Sequence, residues 1–253
     1  MTKNQAIKNY LDFFKISELY GQVISFVSFS DETDAPKKAY KERNDLINFF
    51  SMQLFYRETS EEYKSIIENL DKYYPKLSIE FKRIVDMAKK NISLSSKIPP
   101  KLMEEYQKAC SESNHYWKIA KTKSDFSIFA PYFEKVIKTV KEMAKYYGAK
   151  EGSYYNTYLD MYEEGITEDV LDNFFNTLKA RIIPLLQKIK NSNVVIRDDF
   201  TKRHISKPKQ LKMGTYLSKV IGYDLSRGMI KETEHPFTNR LTYNDVRFTT
   251  HIY

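Results

Sequence analysis

Glycine, cysteine and histidine are scarce in this chain. Seven glycines in 253 residues are too few for a fold of many strands and tight turns, where left-handed positions call for glycine. The single cysteine, Cys110, excludes an internal disulfide and fits a reducing compartment. The four histidines, His115, His204, His235 and His251, include no i, i+4 pair, the spacing that sets two imidazoles on one helical face. A metal centre needs about three converging protein ligands, so no metal site is expected within the chain. No apolar run approaches the roughly 20 residues of a membrane span. The opening stretch, Met1 to Tyr20, lacks the basic flank and apolar run of a signal peptide. No P-loop, dinucleotide fingerprint or G-x-S-x-G elbow occurs. These absences predict a cytoplasmic protein with no membrane contact and no complete active site of its own.

What is present is charge, aromatic residues and helical period. The net charge is +8, but 32 of the 41 basic residues are Lys and 9 are Arg, dispersed among 33 acids. Lys, Asn, Ile, Tyr and Phe share A/T-rich codons, so nucleic acid is not expected as a partner. The densest basic stretch, Lys202 to Lys212, reads as a solvated helix start, with an anionic ligand or partner as the alternative. Adjacent acids, Glu163/Glu164 and Asp198/Asp199, read as solvated loop residues, and Cys110 as a structural thiol.

Residues 1–253 read as a single helical domain in three stretches: N-terminal hairpins (1–95), a long-helix core (96–222) and a β segment (223–253). Residues 4–28 and 36–58 form a helical hairpin around the turn Ser30 to Pro36. Thr59 with Glu62 resembles a capping box opening the next helix, and another runs from Ser78. Pro99/Pro100 open a long helix. The following stripe, Phe129 to Tyr147, contains Pro131, which predicts a kink or restart, and ends at Gly148. Gly165 breaks the chain, Thr167 caps a helix whose apolar face includes Leu171, Phe174, Phe175, Leu178, Ile182 and Leu186, and Pro184 predicts a bend. A last helix over about 206–221 ends at Gly222. Thereafter Phe237 to Tyr253 is the only good hairpin candidate. Asp245, Arg247 and Thr249 alternate onto one face of its second strand.

The tail carries the most specific pattern. "HPF" at His235–Phe237 followed by "DVRFTT" at Asp245–Thr250 resembles two motifs of the thermostable (Taq-type) zinc metallocarboxypeptidases. Trp117, Ala120, Asp125, Phe126, Phe129 and Pro131 resemble that family's helix pair. "YYNTYLDMYEEGIT" is similar to its Y-x-x-x-L-D-x-Y-E-x-G-x-T stretch, and "LKARIIPLLQKI", "KQLKMGTYLSKVIGYD" and Gly228 fit as well. The first hundred residues match in outline only. Met229-Ile230-Lys231 replaces the family's Arg-Leu-Asp, and His251 its arginine after "TT".

The resemblance implies a mainly α, multi-helix, zincin-like (neurolysin-like) groove wall with a small sheet near the C-terminus, incomplete relative to the family. In that family an H-E-x-x-H helix and a downstream glutamate bind zinc, and all of these fall beyond Tyr253. The full-length enzyme would therefore carry zinc or another divalent metal and release C-terminal residues from peptides by metal-activated water, while this chain alone holds no cofactor and turns nothing over. His235, Pro236 and Phe237 would position the segment beside the cleft. Asp245, Arg247 and Thr249 would flank it, on a strand with an edge free for peptide addition. A buried Asp245–Arg247 pair that merely holds the sheet is the alternative. An uncovered groove wall predicts self-association, as a homodimer, or fraying after about residue 225. The rival reading is a non-catalytic helical interaction module.

Overall fold

The computed structural model of the protein describes residues 1–252. Its described residues form nine α-helices and three short strands, and they group into two units: Met1–Met143 with the chain from Leu217 on, and Ala144–Tyr216.

The first unit begins with a hairpin of α1 (Lys3–Thr33) and α2 (Tyr40–Glu58). α1 is longer than its period predicts, because Ser30–Thr33 stay helical and the turn contracts to residues 34–36 before a 3-10 turn at Lys37–Ala39. Arg43 fixes the turn: its guanidinium donates to Asp31 at 2.8 Å and to the Pro36 carbonyl at 2.8 Å. At the other end of the hairpin Arg57 lies 4.1 Å over the Phe13 ring and donates to the Phe13 carbonyl.

α3 (Glu61–Asp71) and α4 (Ile79–Ser95) follow. The cap of α3 is Ser60, whose Oγ accepts from Tyr63 N at 3.1 Å, one residue beyond the predicted Thr59. Thr59 instead donates back to the Phe55 carbonyl and finishes α2. Ser78 caps α4 as its sequence predicts. Tyr63, Ile66, Ile67 and Leu70 on α3 face Phe81, Ile84, Val85, Ala88 and Ile92 on α4, both at helical spacing. With Ala6 and Tyr10 of α1 they make the main core. Leu70 and Val85 are fully buried, and each contributes about 1.5–3 kcal/mol by leaving water.

α5 (Pro100–Lys123) packs on α2, and Lys118 reaches both Asp31 and Glu32 of α1. Ser124 ends it in the left-handed region at φ 51°. Asp125 then caps a 3-10 turn at Phe126–Ile128, and α6 (Ala130–Tyr147) starts afresh. Pro131 therefore sits in a first turn, where its missing N–H costs nothing. This is the restart, not the kink.

In the second unit α7 (Tyr154–Tyr162) leads into α8 (Glu168–Lys190), and α9 (Lys207–Val220) begins there. Polar side chains hold the α7–α8 loop. Asp160 accepts from Lys150 Nζ and from Gly165 N, and Asn156 accepts from Glu168 N. Gly165 has φ 88°, and Thr167 caps α8. The "YYNTYLDMYEEGIT" stretch is thus a helix–loop–helix clasp. α8 remains helical through Pro184.

Past Gly222 (φ 80°) the helical period ends. β1 (Ile230–Glu232), β2 (Thr238–Thr242) and β3 (Asp245–Thr250) form one sheet in the order β1-β3-β2. β3 runs parallel to β1 and antiparallel to β2, pairing Lys231 with Thr249 and Asn239 with Arg247.

Candidate functional site

The residues singled out at the tail come together around β3. Asp245 and Arg247, two apart and so on one face of the strand, form a two-pronged pair: Arg247 Nε to Asp245 Oδ1 at 2.8 Å and a terminal nitrogen to Oδ2 at 2.7 Å. Both side chains are half-buried. The carboxylate holds the guanidinium still more firmly protonated than usual. The guanidinium also lies about 5 Å from the centres of two α1 rings, Phe26 and Phe29, the range of a cation–π contact. Phe237 meets Phe29 edge-on with ring centres 6.0 Å apart. Phe29 therefore joins the "HPF" and "DVRFTT" motifs.

Thr249 fastens them a second time. Its Oγ1 accepts from Phe237 N at 2.9 Å, while its backbone N donates to the Phe237 carbonyl at 2.8 Å. Thr233, which no motif singles out, places its Oγ1 2.7 Å from Thr249 Oγ1 and 2.9 Å from the His235 carbonyl. His251 Nδ1 is 2.9 Å from the Thr233 carbonyl. The reversal at Glu234–Pro236 is thus held by two buried threonines, with His235 and Pro236 exposed at its tip. Lys121 of α5 donates to the Glu234 carbonyl, and Lys231 pairs with Asp34 at the end of α1.

On the opposite face Tyr223 is the anchor. Its hydroxyl donates to the Val246 carbonyl at 2.6 Å, and its ring meets Phe248 edge-on. Gly228 passes so close that a Cβ there would stand 2.0 Å from the Val246 carbonyl oxygen. Here a glycine is required by approach.

One expectation is corrected. β3 has no free edge, because β1 occupies one side and β2 the other.

The arrangement fixes the backbone through threonine hydrogen bonds and one ion pair. Among the described residues no cluster of three or more His, Cys, Asp or Glu is placed to hold a metal ion. The residues present therefore do not fit a zinc centre. Burial pushes the Cys110 thiol up, away from the reactive thiolate. Glu163 and Glu164 are exposed, and Asp198 and Asp199 pair with Lys202 and Arg197. No helix among the described residues is long and apolar enough to cross a membrane.

The described residues are mainly helical, with one small three-stranded sheet near the C-terminus. The chain belongs to the carboxypeptidase Taq (M32) metallopeptidase family, whose model matches residues 9–253. It is 35% identical over 243 residues to Carboxypeptidase 1 of Bacillus subtilis, covering 96% of this chain and 48% of that protein. It is 27% identical to Thermostable carboxypeptidase 1 of Pyrococcus furiosus, covering 98% of this chain and 50% of the relative. Among solved structures, the one described as "BsuCP Crystal Structure" superposes with a TM-score of 0.94 at 34% identity, over 98% of this chain and 50% of that one. The M32 carboxypeptidase from Deinococcus radiodurans R1 gives 0.81 at 25% identity, over 98% and 50%. The chain spans about half the length of the curated relatives it matches.

Proposed function

We propose that this chain forms the N-terminal portion of a metal-dependent carboxypeptidase that releases C-terminal amino acids from peptides. The observation that carries the reading is the family match over residues 9–253, joined to relatives of twice the length. In this reading the metal ligands and the general base belong to the part of the fold that this chain does not span. The metal would supply an activated water there, and zinc is the family's expected ion.

The role of this chain is to shape. Its residues 1–253 act as one portion of the larger fold. Asp245, Arg247 and Thr249 set the line of β3 and keep the neighbouring "HPF" reversal fixed, so His235 and Pro236 are presented at a defined place beside the cleft. None of the six touches a reacting atom. A preorganised wall of this kind has value because small displacements of a substrate-positioning element cost rate steeply. The exposed apolar helices favour, as a second reading, an interaction module without turnover.

The test compares the purified chain with a full-length family enzyme on a peptide whose C-terminal residue is released, with zinc or cobalt added. The isolated chain is expected to match the blank. Turnover above the blank, abolished by chelator and restored by metal, would refute the division of labour proposed here.

A further inference from the structure

Arg57, in the last turn of α2, is a half-buried cation with no carboxylate to answer it among the described residues. Its guanidinium lies over the Phe13 ring, 4.1 Å from the ring centre. Nε donates to Ser17 Oγ at 3.4 Å and Nη2 to the Phe13 carbonyl at 3.2 Å, both neutral acceptors. A guanidinium has five donors. Both on Nη1 and the second on Nη2 meet no acceptor among the described residues. That adjacent pair is the one that grips a carboxylate in a two-pronged bond. Arg43, by contrast, pairs with Asp31, and Arg247 with Asp245. A charge drawn out of water is ordinarily paired. Here Arg57 instead lines an open cleft of about 550 Å³ between α1, α2 and α3, all within the first unit. That volume falls in the range of small-molecule sites.

The other walls of the cleft define what a ligand would carry besides a carboxylate. Glu62, in the first turn of α3, is an exposed acid with no cation against it among the described residues. Asp12 also lines the cleft, but Lys8 already holds it at 2.5 Å. Ile16, 40% exposed, and Ile66 offer apolar carbon beside Phe13. The lining thus combines a fixed guanidinium, a free carboxylate and an apolar wall. We infer that this cleft binds a free amino acid with an apolar side chain. Its carboxylate takes Arg57, its ammonium faces Glu62, and its side chain rests on Ile16 and Ile66. The site is separate from the β3 motifs: Phe13 and Phe29 stand sixteen residues apart on one helix, about 24 Å along its axis. A free amino acid is also what the proposed reaction releases, but the inference does not depend on that reading, since binding here needs no turnover.

The experiment titrates the purified chain with L-phenylalanine and follows heat and the backbone NMR signals of Phe13 and Ile66. Saturable binding in the range of about 1 mM is expected, with both signals moving. Phenethylamine lacks the carboxylate and 3-phenylpropionate lacks the ammonium. Each should bind at least about tenfold more weakly, the loss of one charge-assisted contact. Glu62→Gln and Arg57→Lys should each weaken L-phenylalanine by about tenfold or more. Glu61→Gln lies in the same helical turn but outside the cleft. It should leave the affinity unchanged, and it controls for charge at the start of α3. Arg57→Lys also loosens the contact with Phe13, so its helix content is measured; if it unfolds, Glu62→Gln at its exposed position decides the matter. Absence of saturable binding overturns the proposal, as does affinity that Glu62→Gln or a folded Arg57→Lys retains. Binding of 3-phenylpropionate as tight as that of L-phenylalanine assigns the cleft to a carboxylate alone. Binding of the dipeptide phenylalanyl-alanine about tenfold more tightly assigns it to a peptide, and either result overturns the free amino acid as its ligand.

Discussion

Replacing Gly228 with alanine puts one methyl group where the sheet has no room. An ideal Cβ would lie 2.0 Å from the Val246 carbonyl oxygen and 2.1 Å from the Tyr223 hydroxyl oxygen. One of these is backbone and cannot swing aside. The other belongs to the hydrogen bond that Tyr223 gives to the same carbonyl at 2.6 Å. Relief therefore requires β3 to move away from residue 228. Overpacking of this kind costs about 1–3 kcal/mol, and a buried carbonyl that loses its donor costs about 1–3 more. Together they predict about 2–6 kcal/mol, concentrated in the sheet. The assay is hydrogen exchange at Val246, Phe248 and Thr249, whose N–H groups bond to Arg227, Met229 and Phe237. At the low end, about 2 kcal/mol is roughly a thirtyfold acceleration. Gly21→Ala is the control: it lies within α1 with nothing inside 4 Å of its would-be Cβ, so it should stabilise by about 0.5–1 kcal/mol through helix propensity. If Gly228→Ala leaves those three amides at wild-type rates, the close approach is not a constraint and the reasoning fails.

Asp245→Asn keeps the shape of the pair and removes its charge; a loss of about 1–2 kcal/mol is expected, read by chemical denaturation, with no change if the pair is ornamental. Thr249→Val removes the acceptor of Phe237 N; local opening of residues 235–238 should become about tenfold more frequent, since a buried donor left unpaired costs about 1–3 kcal/mol. His115 stacks on Tyr40 at 3.9 Å between ring centres, and burial first, then Lys118, holds its pKa below 6.5. The folded chain then binds fewer protons than the unfolded one, so this contribution is complete above pH 6.5 and is lost as pH falls toward the depressed value. Melting temperature should fall more steeply on acidification in the wild type than in His115→Phe, and parallel curves would exclude the effect.

The helices were legible because their signals are local. Ser78, Thr167, Gly148 and Gly222 punctuate the chain as caps and terminators should. The cap of α3 moved by one residue because Thr59 and Ser60 are both hydroxylic, and only the course of α2 decides which faces forward. β1 was not legible: three residues carry no alternation, and their partner stands eighteen positions away. For the same reason β3 looked like an open edge, although both sides are filled. The Asp245–Arg247 pairing could be read from a spacing of two. Thr233 could not, since its importance depends on Thr249 and on a loop shape that neither residue encodes alone. The period of α8 specified that a face exists, but period says nothing about what lies against it.

The order β1-β3-β2 has a consequence for how the chain acquires this sheet. β1 and β2 share no ladder; each is paired only through β3, the last of the three to be made. A ribosome delivers the chain from its N-terminus at about 5–20 residues per second. Until Thr250 is available, residues 230–242 have no strand to pair with, while α1 and the core of α3 and α4 can already assemble from contacts nearer in sequence. The "HPF" reversal, closed by Thr249, accordingly cannot take shape until β3 has been made.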